Sequence, residues 1–376
     1  MSARLARSVT PAGPGRCGRW RQARDARLLS ARDAILQHVQ TFRAVQVAKL
    51  DPDEAGRGWP LSGQRWVVHH RGTREVVVLD RWFEPVWRVG LPSAWGKVCA
   101  VAEDLSLVAC SLGRQVRLLD GTGGQVARFH LLSPGTQRGD ASCEFARDGR
   151  HLWAHAFIDD RDELWLIDLT ELSVVDHRRL DTWAGGLVPF HHPDGQTIGL
   201  ELAEGQDGSA ISWARSAGGR IQLRHSLGFD RVLADLHPSG QEYLTTPHHG
   251  GEELARHRFD NDGVIDWLPA ADALPVADQW GASQDRWYYC AGYLTDEAIL
   301  ASVHNDSYHW HALVKRSPMG VLGRVDYGPT MWAPGWFLPP RAGTWVTIGD
   351  TGTQRWELAE EPSERLGTQL SLLDDT

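Results

Sequence analysis

The sequence predicts an all-β fold assembled from one antiparallel four-stranded unit repeated along the chain. Turn-forming residues recur at near-constant intervals, short runs rich in Val, Leu, Trp and Tyr flank each turn, and the two ends of the array complement each other. The turns sit at Ser62, Asp104, Asp148, Asp194, Ser239, Asp296 and Ala342, with successive spacings of 42, 44, 46, 45, 57 and 46 residues. Self-similarity at such a period is the mark of a repeat architecture. The one long step contains an insertion, DALPVADQWGASQ, before the sixth unit.

Within each unit the elements follow in order. Asp-Gly or Ser-Gly suits a tight hairpin, because glycine adopts positive φ freely and Asp or Ser bonds the turn backbone. The runs on either side read as half-buried strands. A third run follows each turn (REVVVLD, RQVRLLD, DELWLIDL, SAISWARS, EELARHRFD, HWHALVKR, TQRWELA), and three of these end on Leu-Asp or Ile-Asp at Asp80, Asp120 and Asp168. A fourth run usually comes next, such as PVWRVGL or QVARFHL. Four strands in about 45 residues make one blade of a β-propeller. Seven turns predict a seven-bladed β-propeller of four-stranded antiparallel blades.

Closure supports that count. The seventh unit supplies three strands, and a spare apolar run, RAVQVAKL, precedes the first. Residues 43–50 are therefore expected to close blade seven as its outer strand, leaving no free ring edge. The propeller is expected over 43–360. Residues 1–42 are expected to form a basic arm and a short amphipathic helix, since Leu28, Leu29, Ile35, Leu36, Val39 and Phe42 recur at helical spacing within 23–42. Residues 361–376 read as an acidic, disordered tail.

FARDGRHL from Phe145, FHHPDGQTI from Phe190 and LHPSGQEYL from Leu236 resemble WD-repeat and related bacterial propeller units, in which such a turn joins the two inner strands. The resemblance spans roughly 43–360, although Gly-His is not consistent at the unit starts and Trp-Asp does not end the third strands. It implies a rigid scaffold for binding partners, without intrinsic catalysis.

Composition narrows the function classes. The net charge is −9, with +7 on residues 1–43 and about −16 on the rest, so the body is a poor nucleic-acid binder. No apolar run reaches membrane-spanning length, and the basic N-terminus lacks the apolar stretch of a secretory signal. A cytoplasmic, monomeric protein with no membrane, nucleic-acid, cofactor or metal partner is the expectation. The five cysteines form no C-x-x-C pair; Cys99 and Cys110 flank a turn and are expected to face each other as reduced thiols.

A tryptophan followed by a small residue recurs at Trp95, Trp183, Trp280 and Trp332, each in the connection between consecutive units. The resemblance implies that these connections share a face with the loops between second and third strands. Two readings stand together: wedges between blades, or aromatic anchors for a partner. The second-to-third-strand loops add His248, His249 and His304, with Asp306, to that face. His309 and His311 alternate onto one strand face and are expected as a surface pair. Glu144 and Asp235 lie in inner strands, where paired carboxylates would suit glycoside hydrolysis.

The function that follows is a non-enzymatic scaffold presenting Trp95, Trp183, Trp280, Trp332, His248, His249 and His304 to a protein or peptide partner. The acidic body favours a partner with basic segments. The alternatives are a propeller hydrolase or lyase using channel carboxylates or histidines, and a lectin-like binder with several equivalent Trp pockets.

Overall fold

Turn chemistry divides the chain into hairpins, and the hairpins assemble into sheets. The computed structural model describes residues 40–51, 57–70, 74–92, 97–112, 115–131, 141–159, 161–182, 187–203, 208–226, 230–248, 253–274, 285–304, 309–328, 336–349 and 351–359. From residue 41 onward these belong to one compact unit. After β1 (Gln40–Leu50) the first sheet holds β2 (Arg57–Leu61), β3 (Arg65–His70), β4 (Glu75–Leu79) and β5 (Pro85–Gly90). The second holds β6 (Lys97–Val101), β7 (Leu107–Leu112), β8 (Gln115–Asp120) and β9 (Gln125–His130). The third holds β10 (Ser142–Phe145), β11 (His151–Ile158), β12 (Arg161–Asp168) and β13 (Ser173–Arg179). The fourth holds β14 (Leu187–His191), β15 (Thr197–Ala203), β16 (Ser209–Ala217) and β17 (Arg220–His225). The fifth holds β18 (Arg231–Leu236), β19 (Glu242–Pro247), β20 (Glu253–Arg258) and β21 (Val264–Pro269), followed by one short helix, α1 (Ala270–Ala273). Each of these five sheets is an antiparallel meander in chain order.

The remaining strands form one eight-stranded sheet. β22 (Arg286–Tyr293), β23 (Ala298–His304), β24 (His309–Lys315) and β25 (Gly320–Asp326) make one half; β26 (Phe337–Arg341), β27 (Thr344–Gly349) and β28 (Gly352–Leu358) lie in the other. The strand order is β22-β23-β24-β25-β1-β28-β27-β26, so β1 sits between the two halves. It pairs antiparallel with β28, from Ala44 opposite Leu358 to Leu50 opposite Thr353. β1 opens at Gln40, so Gln40, Thr41 and Phe42 extend a strand instead of ending a helix. The physical reason is packing: Phe42 rests against the apolar cluster that holds Val325 and Trp356. The expected basic arm, the rest of the expected helix (residues 23–39) and the expected tail, 361–376, lie outside the described residues.

All seven turn residues read from the sequence fall between the first and second strands of their units. Asp148 Oδ1 accepts the amides of Arg150 and His151 at 2.9 and 3.0 Å, and Asp194 Oδ1 does the same for Gln196 and Thr197. The Leu-Asp and Ile-Asp endings have an equivalent role in the turn to the fourth strand. Asp80 Oδ1 accepts the amides of Trp82 and Glu84, Asp120 Oδ1 those of Thr122 and Gly124, and Asp168 Oδ1 those of Thr170 and Glu171. These bonds favour the ionised form, and the Thr122 hydroxyl in particular holds Asp120 below the usual carboxylate range.

The core lies between successive sheets. Trp66, Trp153, Trp287 and Trp345 are buried there, as large rings must be when two β faces pack. Polar ties accompany the packing: Trp287 Nε1 donates to Leu268 O at 2.8 Å, and Asp266 Oδ2 accepts the Met319 amide at 2.8 Å. Both join the fifth sheet to β22–β25. The expected Cys99–Cys110 facing pair does not form. A register shift between Val98 and Ala100 leaves Val98 opposite Cys110, so Cys99 has no residue across from it.

Candidate functional site

The polar and aromatic side chains of interest gather where β22, β23 and β24 meet the loop end of the sheet. His304 closes β23 and His309 opens β24, and the register sets them opposite each other. Their rings lie 4.5 Å apart. Tyr288 stacks on His304 at 5.2 Å and meets His309 edge-on at 5.3 Å.

A bulge positions that tyrosine. β22 takes five residues, from Trp287 to Ala291, over the stretch where β23 takes three, from Val303 to Ala301. Tyr288, Tyr289 and Cys290 therefore leave the regular ladder, as bulges next to functional sites commonly arrange. Thr246 Oγ1, from the fifth sheet, donates to the freed Tyr289 carbonyl at 3.2 Å. Tyr288 and Tyr289 are tilted together at 4.6 Å. Trp336, just before β26, touches both: edge-on to Tyr288 at 5.9 Å and tilted over Tyr289 at 6.3 Å. Its ring is 57% exposed, so the cluster has an open aromatic top. His248, at the end of β19, joins from the neighbouring sheet with its ring 6.1 Å from Tyr289. It is buried, and its amide donates to Asp230 O at 2.9 Å.

Burial favours the neutral forms of His309, Tyr288 and Cys290. Burial, with His304 alongside, lowers the His309 pKa below the ordinary imidazole value. Burial raises the Tyr288 phenol and pushes the Cys290 thiol up to about 11. Rings with neutral polar edges bind apolar and hydrogen-bonding groups together.

Of the residues expected at the site, the structure brings together His248 and His304, bridged through Tyr288 and Tyr289. Trp95, Trp183, Trp280, Trp332 and His249 lie outside the described residues. His309 and His311 are not a surface pair. His309 joins the cluster, whereas His311 is fully buried, with its Nδ1 hydrogen-bonded to the Tyr327 hydroxyl. Tyr288, Tyr289 and Trp336 were missed by sequence reasoning; the adjacent Tyr-Tyr inside an inner strand, which breaks alternation, was the signal available.

The inner-strand carboxylates are committed elsewhere. Glu144 Oε1 binds His191 Nε2 at 2.6 Å, tying the third sheet to the fourth. Asp235, fully buried, accepts the amides of Leu236 and Tyr293 at 2.9 Å each. Asp235 and the His191 partner of Glu144 border a cavity of about 280 Å³ at the other ends of the strands, among the first-to-second-strand turns, with Arg147 and Tyr293 also in its wall. Among the described residues no group of three or more His, Cys, Asp or Glu side chains is placed to hold a metal ion. No helix among them is long and apolar enough to cross a membrane.

No known protein family matches the chain, and no curated protein does. Solved structures do. The RRP9 WD40 repeats align over 85% of this chain and 95% of theirs, with a TM-score of 0.50 at 10% identity. The chain folds as a WD40-like β-propeller. BamB from Moraxella catarrhalis also aligns, over 85% of this chain and 98% of its own, with a TM-score of 0.49 at 12% identity. The Cps50 (Swd1) β-propeller domain of Myceliophteria thermophila aligns over 83% and 98%, at 0.49 and 14%. At these identities the likeness carries architecture alone.

Proposed function

We propose that this propeller is a non-enzymatic, seven-bladed scaffold that binds a protein or peptide on the face carrying Tyr288, Tyr289, Trp336, His248 and His304. The blade count takes the eight-stranded sheet as blades six and seven, joined through β1 as the outer strand of blade seven. Five four-stranded sheets precede them. Trp95, Trp183, Trp280, Trp332 and His249 belong to the same proposed face, since each lies in an inter-blade connection or in a loop between second and third strands.

The observation that carries this reading is the open Trp336 ring, 57% exposed yet held at its edge by Tyr288. A rigid, amphipathic, half-solvated aromatic is the usual centre of binding energy at protein interfaces, because it buries a large area with little loss of side-chain freedom. The acidic body outside residues 1–43 favours a partner with basic segments.

The test is affinity purification from the native host, read by mass spectrometry, with wild type beside Trp336→Ala and Tyr289→Ala. The expected result is a partner captured by wild type and lost from both variants at unchanged melting temperature. Equal capture by all three, or a small molecule in place of a polypeptide, overturns the reading.

A further inference from the structure

The outer strands of the sheets differ in how they treat solvent. Among the described residues β5, β9, β13, β17 and β21 each end their sheet, so each presents an edge that no described strand pairs. Such edges invite another strand unless charges guard them. Four are guarded: β5 by Arg88, β9 by Arg128, β13 by Arg178 and Arg179, and β17 by Arg220 and Arg224. β21 reads VIDWLP and has no cation. Val264 is 58% exposed, Ile265 38% and Trp267 57%. Its one charge, Asp266, is turned to the next blade, where it accepts the Met319 amide.

The molecule already shows what covers an edge of this kind. The neighbouring outer strand, β25, reads GVLGRVD, apolar apart from Arg324 and Asp326, and β1 lies alongside it. There Val325 is 2% exposed and Val321 and Leu322 are partly buried, with Phe42 of β1 packed on the same cluster. β1 itself reads QTFRAVQVAKL, an apolar extended segment carrying Arg43 and Lys49 near its ends. At β21 the surroundings suit the same charges: Asp260 is exposed just before the strand and Asp272 just after it, against Arg258 at the end of β20.

We propose that the free edge of β21 is a docking site for an extended apolar segment of a partner protein, flanked by Arg or Lys, that adds to its sheet as a fifth strand. Main-chain hydrogen bonds along β21 hold it, Trp267 and Val264 receive its alternate side chains, and Asp260 and Asp272 meet its basic ends. This site is separate from the aromatic face above.

The test uses the full chain and a fluorescent peptide of sequence QTFRAVQVAKL, titrated by anisotropy. Wild type is expected to bind saturably. An Ile265→Lys/Trp267→Lys double variant is expected to bind about tenfold or more weakly, the loss typical of removing an anchor. Val264→Lys is a second variant at an exposed position, and melting curves confirm that both fold. N-methylation of alternate peptide amides is expected to abolish binding. Equal binding to wild type and both variants overturns the proposal, because the peptide is then displacing β1 or sitting elsewhere. Equal binding of a scrambled peptide overturns it too. So does a wild-type dimer that the β21 variants convert to monomer without any peptide binding, which would make the edge a contact between copies.

Discussion

Arg256 grips Glu242 with two hydrogen bonds, Nε to Oε1 at 3.1 Å and Nη2 to Oε2 at 2.6 Å, and both side chains are less than a tenth exposed. Arg316 adds a third contact at 3.2 Å from the turn between β24 and β25. Removing one partner of a buried pair leaves the other charged and unsolvated. Glu242→Ala is therefore expected to cost about 3–5 kcal/mol, and Glu242→Gln less, as read by urea unfolding. A loss below about 1 kcal/mol, the range of an exposed pair, would show that water reaches the guanidinium.

Trp287 precedes the Tyr288–Tyr289 pair that Trp336 touches, but the two tryptophans do different work. Trp287 is fully buried and bonded to Leu268 O, so Trp287→Ala is expected to cost about 3–5 kcal/mol. Trp336→Ala removes an open ring and is expected to change stability by no more than about 0.5 kcal/mol. Denaturant midpoints of the two variants decide the contrast.

His257 gives the fold an acid limit. Burial first, and then Arg231, lower its pKa from 6.5 to about 4, and Thr245 Oγ1 lies 2.9 Å from its Nε2. As pH falls through the window from 6.5 to about 4, the unfolded chain takes up a proton that the folded chain refuses. This contribution is complete above pH 6.5 and is lost progressively below it, to a limit of about 3 kcal/mol. His257→Gln is expected to flatten the stability–pH curve across that window. An unchanged slope would assign acid sensitivity to other groups.

Asp168 tests the turn chemistry. It accepts two turn amides and a guanidinium contact from Arg150 at 2.9 Å, with its carboxylate almost wholly enclosed. Asp168→Ala is expected to lower the melting temperature, since two turn amides and the Arg150 guanidinium lose their acceptor. Asp120→Ala, in an exposed turn of the same design, is expected to cost less. Thermal unfolding of both variants distinguishes enclosure from turn geometry as the source.

The hairpins were legible because their cause is local. Asp148, Asp194 and Ser239 bond amides two or three residues away, and that need is written next to them in the sequence. The pairing of β1 with β28 joins segments about 300 residues apart, and the expectation of a closing strand from the other end of the array pointed to that run. The bulge in β22 was not legible, since it depends on Thr246 and Trp336 from other sheets. The same holds for the shift that removes Cys99 from Cys110, and for His311, whose burial is set by Tyr327 and Phe337. The inner-strand acids looked like a catalytic pair because sequence records their strands but not their partners, His191 for Glu144 and main-chain amides for Asp235.

The pairing of β1 with β28 also sets a clock. About 300 residues separate Leu50 from Gly352, so a ribosome adding roughly 5–20 residues per second leaves the earliest strand waiting about 15–60 s for its mate. Throughout that interval Ala44, Ala48 and Leu50 have no β28 to lie against, and the nascent chain carries an unsealed seam that only β28 can shut.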